Sequence, residues 1–245
     1  MYANLKKKYG QNFLIDKNIL NKIKTLIPNK KIDILEVGPG DGRLTDAILL
    51  NNSSNLTIVE IDKDLIADLN KKYNNNEFVN IINKDILKYK FDKYYDLIIS
   101  NLPYNISSQV LVKISILKNC PENLIFMFQK EFAQRLLDRK INAINSLVRC
   151  FYTIKFEFNV SRNCFRPIPK VDSSILSFKK KYKPLIDNCE IDNFINFKRS
   201  LFSFKRKSLK NVLKKYNLEN DFDLKLRVNE LDLDSLIRIF RKINS

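Results

Sequence analysis

Three of the four glycines of this chain lie in the pentapeptide GPGDG at residues 38–42, directly after a short β-branched run. Residues without a Cβ allow a sharp turn and a close approach of a ligand to the backbone, so the loop is a candidate site for a nucleotide-type cofactor. The dinucleotide fingerprint GxGxxG would need glycine at Arg43, and GxxxxGKS or GxxxxGKT does not occur, so NAD, FAD and a nucleoside triphosphate loop are disfavoured. The alternative, an ordinary strand-to-helix turn, fits poorly with so few glycines.

Acidic residues follow the next two strands of the sequence pattern. Glu60 ends NLTIVE, twenty positions after Gly40, where a carboxylate can accept hydrogen bonds from both hydroxyls of a ribose. Asp85, in NKDIL, is placed to accept a hydrogen bond from an adenine amino group. Glu60 could instead be a solvated strand-end residue, and a helix N-cap explains Asp85 equally well. Two acidic strand ends without a phosphate-binding loop favour S-adenosylmethionine, whose sulfonium is stabilised by a negatively charged pocket.

The tetrapeptide NLPY at residues 101–104 follows the next strand and is the most specific motif of the chain. Methyl transfer to the exocyclic amine of a base needs acceptors that hold the NH2 group and favour a more tetrahedral, nucleophilic nitrogen. The Asn101 side-chain oxygen and the Leu102 carbonyl can accept these hydrogen bonds. Pro103 stiffens the loop and directs that carbonyl, and Tyr104 offers a ring on which the base can stack. The alternative is a simple proline turn.

The composition excludes several other kinds of site. The chain has no histidine, so it has no Ser-His-Asp triad, histidine base or histidine metal ligand, and its four cysteines include no CxxC pair. We therefore predict no metal site and expect reduced, structural thiols in a cytoplasmic compartment. No apolar run approaches the length of a membrane span. The net charge of +17 favours a nucleic-acid partner, although an AT-rich coding bias explains part of the lysine excess.

Short apolar runs alternate with helical segments over about the first 150 residues, which is typical of a doubly wound α/β domain with a parallel sheet. Two alternating runs, TIKFEFNV and SSILSFK, predict an antiparallel pair of strands at one edge of the sheet. From Tyr182 onward the periodicity is helical, including the whole of KRKSLKNVLKKY. We therefore predict a Rossmann-like α/β methyltransferase domain over residues 1–180 and a small α-helical C-terminal domain over residues 181–245.

These motifs strongly resemble those of the ribosomal RNA adenine dimethyltransferases, in particular the small-subunit enzymes that dimethylate two adjacent adenines near the 3′ end. The erythromycin-resistance methylases share the cofactor motifs, but NLPYNIS and the C-terminal FKRKSLKN with RVNEL look more like the small-subunit enzymes. The matching segments cover nearly the full chain in order: YGQNFL at 9–14, LEVGPGDGRLT at 35–45, IVEIDKDL, NKDIL, NLPYNISS at 101–108, FQKEFAQRL, CFRPIPKVDSSIL at 164–176 and FKRKSLKNVL at 204–213.

The resemblance implies roles for individual residues. Phe165 stands where the family closes over the target base from the other face, although a buried edge-strand aromatic is an alternative interpretation. The family's YGxLS-type loop is replaced by LLDRKINAINSL at residues 136–147, on the side expected for base entry. Asn101 and Tyr104, in the same loop as Leu102 and Pro103, would hold the base. Contacts to S-adenosylmethionine are implied for Asn12, Leu14, Gly38, Glu60, Asp85 and Asn101.

Basic residues cluster in segments of the chain that could bind the phosphates of RNA. Residues 197–215, here named the basic stripe, contain eight basic residues and no acidic one. Such a stripe binds phosphates by counterion release, whereas the alternative is a solvated helix face. Lys6, Lys7 and Lys8 precede the cofactor motif. The RNA-binding residues that we predict are Lys205, Arg206, Lys207 and Lys210 in the stripe, and Arg166 and Lys170 around FRPIPK.

The sequence therefore predicts an S-adenosylmethionine-dependent rRNA adenine N6,N6-dimethyltransferase that acts on small-subunit rRNA within a pre-ribosomal particle. We expect a monomer without a metal or a membrane partner. One alternative is a large-subunit rRNA methylase of the erythromycin-resistance type. The other is a non-catalytic RNA-binding assembly or transcription factor on the same fold, a role that would not need GPGDG, Glu60 or NLPY.

Overall fold

The computed structural model of the protein describes residues 11–50, 55–214, 216, 218 and 222–244. The strands are β1 (Phe13–Leu14), β2 (Asp33–Val37), β3 (Asn55–Glu60), β4 (Val79–Asn83), β5 (Leu97–Ser100), β6 (Asn123–Gln129), β7 (Tyr152–Val160), β8 (Phe165–Arg166) and β9 (Ser173–Lys180). The helices are α1 (Lys17–Lys24), α2 (Arg43–Leu49), α3 (Lys63–Tyr73), α4 (Tyr104–Ser115), α5 (Lys130–Leu137), α6 (Asn145–Phe151), α7 (Ile191–Ser203), α8 (Leu209–Val212) and α9 (Leu233–Asn244).

A seven-stranded sheet with the order β4-β3-β2-β5-β6-β9-β7 forms the centre of the molecule. Strands β2 to β6 run parallel, whereas β9 is antiparallel to both β6 and β7. The predicted antiparallel pair at one edge of the sheet is therefore confirmed. Helices α1 to α3 cover one face, where Ile34 and Ile58 are buried, and the later helices cover the other, where Leu35 and Ile98 are buried.

The C-terminal helices pack on the same face of the sheet as α4 to α6. Phe194 of α7 and Phe240 of α9 are buried, with ring centroids 5.1 Å apart, and they belong to one continuous apolar core with Leu111 and Phe126. The sheet ends at Lys180, and α7 begins at Ile191. A separate domain beginning at residue 181 stays a prediction.

The helix expected over KRKSLKNVLKKY is wrong for most of its length. Helix α8 covers only Leu209–Val212, and residues 204–207 form turns. The backbone N–H groups of Leu209 and Lys210 donate to the carbonyls of Leu226 and Leu224, at 2.8 and 3.0 Å. Tertiary hydrogen bonds to a distant segment thus replace the helical ones that the periodicity predicted.

The segment that departs from the family pattern includes the end of α5, a well-bonded loop and the start of α6. Asn145 is fully buried, and its Nδ2 donates to the carbonyls of Arg135 and Lys140 at 3.1 and 3.0 Å. Lys198 of α7 donates to the Ala143 carbonyl at 2.7 Å, which joins the loop to the C-terminal helices. Within the described part of the chain, no helix has the length and apolar character needed to cross a membrane.

A buried carboxyl group links β2 to α2 on either side of the glycine loop. Thr45 Oγ1 donates to Glu36 Oε2 at 2.6 Å, while Glu36 Oε1 has no hydrogen-bond partner in the described part of the chain. The Glu36 side chain is completely buried, and this burial raises its pKa to about 8, partly opposed by the Thr45 hydrogen bond. Desolvation thus favours the neutral acid at physiological pH.

We expect Glu36→Gln to reduce the pH dependence of stability. The folded protein keeps the Glu36 proton up to a pKa of about 8, whereas the ordinary value is 4.5. The free energy of unfolding therefore falls as the pH rises between these values, by at most about 1.4 kcal/mol per pH unit. Urea unfolding from about pH 5.5 to about pH 7.5 measures this slope, which no histidine obscures.

The matched control is Glu131→Gln, because Glu131 is an exposed residue of α5. We expect the control to lose stability with rising pH as the wild type does, while Glu36→Gln keeps only the smaller slope that the raised pKa of Glu60 leaves. Equal slopes for the wild type and Glu36→Gln would show that the Glu36 carboxyl does not carry the effect.

Candidate functional site

A cavity lies at the edge of the sheet where β2, β3, β4 and β5 end. Because these strands are parallel, the segments that follow them meet around the same space. The residues that line it come from the N-terminal segment and from all four strand ends: Gln11, Asn12, Phe13, Gly38, Gly40, Glu60, Ile61, Lys84, Asp85, Ile86, Leu87, Asn101, Leu102, Pro103, Asn105 and Ile106, together with Val37, Val59 and Leu65.

The glycine loop has a left-handed backbone that only glycine adopts without strain. Gly38, Gly40 and Gly42 have φ values of +68°, +62° and +79°. A Cβ on Gly40 would lie 2.8 Å from the ring of Phe13, and one on Gly38 would lie 3.3 Å from Leu102 Cδ2. The loop backbone therefore approaches two other walls of the cavity closely, and a side chain at Gly40 would displace one of them.

The N-terminal segment of residues 11–13 spans the cavity from the end of β3 to the end of β5. Gln11 Nε2 donates to Asp62 Oδ2 at 3.1 Å, and Asn101 Nδ2 makes a long hydrogen bond of 3.5 Å to the Asn12 carbonyl. We predicted Asn12 at this site but missed Gln11 and Phe13. Residues 11–13, here named the N-terminal strap, show no periodicity or spacing that would have predicted this position, because their partners are distant in the chain.

Glu60 is held in a defined orientation at the end of β3. Its Oε1 accepts hydrogen bonds from the backbone N–H groups of Ile61 and Asp62, at 2.8 and 2.9 Å. Burial raises the pKa of the Glu60 carboxyl, and hydrogen bonds from the backbone of Asp62, Ile61 and Gly40 oppose that rise. An acceptor fixed in this way can receive hydroxyl donors without first reorganising.

Asp85 precedes a turn and not a helix, so it is no helix N-cap, and its contact with an adenine amino group stays a prediction. Asp85 lines the cavity just after β4, and its Oδ1 accepts a hydrogen bond from the Leu87 N–H at 2.9 Å. Lys84 is the only cation among the described lining residues. The wall therefore offers carboxylate acceptors and apolar side chains, and these suit a nucleoside better than a polyphosphate.

The Asn101 loop closes the side of the cavity at the end of β5. The hydrogen bond from Asn101 Nδ2 to Asn12 leaves Asn101 Oδ1 as an acceptor for another donor. Ser100 Oγ donates to the Val37 carbonyl at 2.8 Å, which joins the ends of β5 and β2. Pro103 immediately precedes α4 with φ −52°, and α4 begins at Tyr104, whose side chain lies outside the described part.

Two predicted site residues lie in the core and not in the cavity. Leu14 and Phe165 are 4% and 0% exposed, and neither lines the cavity. They are cross-strand partners in the small antiparallel sheet of β1 and β8, and both belong to the core on the α1 side of the main sheet. The alternative interpretation of Phe165, a buried edge-strand aromatic, describes its position here, because pairing of β8 with β1 turns the ring inward.

The predicted RNA-binding residues are exposed in two places. Arg166 and Lys170 are exposed on the segment between β7 and β9, and Lys170 lies with Lys130 and Arg162 around a surface depression. Because β6 and β7 both end there, this group shares the carboxyl edge of the sheet with the cavity. Lys6, Lys7 and Lys8 lie outside the described residues, and Lys205, Arg206, Lys207 and Lys210 are exposed around the start of α8.

One member of the basic stripe cannot face RNA. Lys198 is 4% exposed, and burial lowers its pKa to about 8. The Lys207 ammonium lies 4.8 Å from the centre of the Phe204 ring, which is 45% exposed. Within the described ranges, no group of three or more His, Cys, Asp or Glu side chains could hold a metal ion.

The sequence matches one family over almost its full length. The family described as "Ribosomal RNA adenine dimethylase" matches residues 2–243. "Ribosomal RNA small subunit methyltransferase A" of Mycoplasma mobile is 37% identical, with 100% of both chains aligned. The protein of the same name from Malacoplasma penetrans is 41% identical over 86% of this chain and 78% of its own length.

Solved structures share the fold. A dimethyladenosine transferase from Plasmodium falciparum has a TM-score of 0.82 and 26% identity, covering 95% of this chain and 97% of its own. The 23S rRNA methyltransferase ErmE has a TM-score of 0.76 at 21% identity, covering 95% of this chain and 100% of its own. The predicted Rossmann-like α/β fold with a helical C-terminal part is confirmed. The resemblance found in the motifs is confirmed as well, and the chain belongs to the ribosomal RNA adenine dimethylase family.

Proposed function

We propose that this protein transfers methyl groups from S-adenosylmethionine to N6 of adenines in small-subunit rRNA, and that it forms N6,N6-dimethyladenine near the 3′ end. One observation carries the proposal. The glycine loop, Glu60, Asp85 and Asn101 follow adjoining strands, and together they line one cavity. Relatives named for methylation of the small-subunit rRNA, such as that of Mycoplasma mobile, align over the whole chain. This substrate would place the protein in the cytoplasm.

The cavity suits the nucleoside part of S-adenosylmethionine, which supplies an electrophilic methyl group on a positively charged sulfur when it is bound. Glu60 would accept hydrogen bonds from the ribose hydroxyls through the carboxylate that the backbone orients. Asp85 would accept the adenine amino group, with Ile61 and Ile86 on the apolar faces of the ring. Gly38 and Gly40 line the cavity, so the backbone of the loop could approach the cofactor closely.

Catalysis in this proposal depends on positioning and electrostatics. The Asn101 Oδ1 and the Leu102 carbonyl would hold the N6 amine of the target adenine and direct its lone pair. Pro103 restricts the backbone that presents this carbonyl. The chain has no histidine to act as a base, and the amine proton can leave to water after transfer. Two transfers to each base would need two rounds of cofactor exchange.

Binding of RNA would use the exposed cations at some distance from the reacting atoms. Arg166 and Lys170 lie at the carboxyl edge of the sheet, where they could guide a strand towards the cavity. Lys205, Arg206, Lys207 and Lys210 would contact phosphates from the C-terminal region. Substrate affinity and methyl transfer would therefore rest on different residues.

Small-subunit rRNA is favoured over large-subunit rRNA as substrate. The relatives at 37% and 41% identity carry the small-subunit name, whereas the likeness to ErmE, at 21% identity, concerns the fold. A non-catalytic factor would have no need for the left-handed glycine loop and the oriented carboxylate of Glu60.

Incubation with S-adenosylmethionine and each rRNA in its unmethylated ribosomal subunit particle, followed by mass spectrometry of the nucleosides, should give dimethyladenosine from small-subunit rRNA. The control is the same incubation with large-subunit rRNA, which we expect to stay unmodified. Dimethyladenosine from large-subunit rRNA alone would favour the erythromycin-resistance type. No methylated adenosine from either RNA would favour a non-catalytic role.

We expect Asn101→Ala to lower kcat by about 100-fold or more while the Kd for RNA changes by less than about twofold. The Asn101 acceptor acts on the reacting amine, whereas phosphate contacts supply the affinity. Single-turnover kinetics and filter binding measure the two quantities separately. Asn74→Ala, at the exposed C-terminal end of α3, is the control and should leave both unchanged. Equal losses in rate and affinity would contradict the role of Asn101.

Replacing Lys205, Arg206, Lys207 and Lys210 by Gln should weaken RNA binding for all sequences and leave cofactor affinity unchanged. Each lost phosphate contact should remove roughly 0.7 to 0.9 from the slope of log K against log salt. A matched charge change in the exposed Lys30, Lys31, Lys71 and Lys118, which lie outside the predicted RNA-binding groups, is the control. Wild-type slope and affinity in the first variant would show that these cations form only a solvated face.

A further inference from the structure

The ammonium group of Lys113, on α4, is surrounded by backbone carbonyls. Its Nζ donates to the carbonyl oxygens of Ile86, Leu87 and Tyr89 at 3.0, 2.8 and 2.7 Å. A lysine ammonium has three donors, so all of them are directed at one short stretch of backbone. The side chain also passes over the ring of Phe91, with Nζ 5.5 Å from the ring centre.

These carbonyls belong to the wall of the cavity that follows β4. Residues 85–89 form a turn, in which the Lys88 and Tyr89 N–H groups donate to the carbonyls of Asp85 and Ile86 at 2.9 and 3.3 Å. The turn aligns the next carbonyls in one direction, as at the end of a helix, where a cation is favourable. Asp85, Ile86 and Leu87 of this turn line the cavity.

Helix α4 begins at an adjoining wall of the cavity. Asn105 and Ile106, in the first turn of α4, line the cavity, and the helix follows the Asn101 loop directly. Lys113 lies seven positions after Ile106, which is two turns along the same face of the helix. A single side chain therefore joins the turn that carries Asp85 to the helix that begins at the Asn101 loop.

The environment of Lys113 is that of a fixed group. Burial lowers the pKa of its ammonium, and the nearby Asp85 carboxylate opposes that change. Ile86 is 5% exposed and belongs to the same core cluster as Val110 and Ile114 of α4. Apolar packing thus sets the distance between the turn and the helix, and the Lys113 hydrogen bonds set the orientation of the turn.

We propose that Lys113 is a positioning residue for the adenine end of the cofactor site. It holds the turn of residues 85–87 in a fixed position relative to the Asn101 loop. This rests on the proposed function, because it assigns Asp85 to the cofactor base. Lys113 does not line the cavity, so it would contact neither the cofactor nor the target adenine. It acts through the backbone of Ile86 and Leu87, and so it determines cofactor affinity and the preference for adenine over a purine without the amino group.

The test compares Lys113→Met with Lys93→Met. Met keeps much of the length and apolar character of the Lys stem but removes the three donors. Lys93 is a suitable control because it also lies over an aromatic ring, that of Tyr95 at 4.9 Å, but sits beside Asp33 at the start of β2. With saturating RNA, we expect Lys113→Met to raise KM for S-adenosylmethionine about 10-fold while kcat stays within about twofold.

The second readout is base preference, measured by calorimetry. The probes are S-adenosylhomocysteine and its analogue in which purine, without the amino group, replaces adenine. The wild type and Lys93→Met should prefer the adenine compound, and Lys113→Met should lose most of that preference because the Asp85 turn is no longer oriented. Loss of a purely structural contact would lower the melting temperature but would leave the preference intact.

Lys113→Arg and Lys113→Gln keep the test decisive if Lys113→Met does not fold. Arg retains the charge and several donors and should restore most of the affinity, whereas Gln retains one amide donor group and should be intermediate. Wild-type KM and base preference in folded Lys113 variants would overturn the proposal and leave the proposed function standing. A wild-type protein that binds neither S-adenosylmethionine nor S-adenosylhomocysteine would overturn both.

Discussion

The left-handed backbone at Gly38, Gly40 and Gly42 is the constraint on which the cavity depends. A Cβ at Gly40 would meet Phe13 at 2.8 Å, one at Gly42 would meet the Tyr73 hydroxyl at 2.8 Å, and one at Gly38 would meet Leu102 at 3.3 Å. Each glycine thus admits a different neighbour to the same loop. The N-terminal strap, α3 and the Asn101 loop can surround the end of β2 only because this loop has no side chains there.

The two buried carboxyl groups near the glycine loop, Glu36 and Glu60, differ in their hydrogen bonding. Glu36 is completely buried with one hydrogen bond, and burial raises its pKa to about 8, so the group is mainly neutral near pH 7. Glu60 is also buried, but two backbone N–H groups hold Oε1 and the side chain still reaches the cavity. The first carboxyl links β2 to α2, and the second presents an oriented acceptor. Hydrogen bonding, and not burial alone, separates their roles.

The fold places the cavity and the cations predicted to bind RNA in different parts of the molecule. The cavity is enclosed by strand ends and by the strap, and among its described lining residues only Lys84 is basic. The exposed cations that the sequence predicts to bind RNA lie elsewhere, between β7 and β9 and around α8. The C-terminal region is attached to the face of α4 to α6 through a continuous apolar core. A rigid attachment of this kind keeps the outer cations at a constant distance from the cavity, since packed interiors transmit position well.

The sequence by itself determined the strands of the main sheet, its antiparallel edge, the positive-φ loop, and the strand-end positions of Glu60, Asp85 and Asn101. These follow from local periodicity and from glycine placement, which act over a few residues. Only the tertiary structure decided that Phe165 and Leu14 are buried by pairing of β1 with β8, and that α8 is short. It also decided that Lys198 is buried and that Lys113 meets three carbonyls. Each of these depends on contacts between distant segments, whose formation is governed by packing and hydrogen-bond satisfaction across the whole chain and leaves no local pattern.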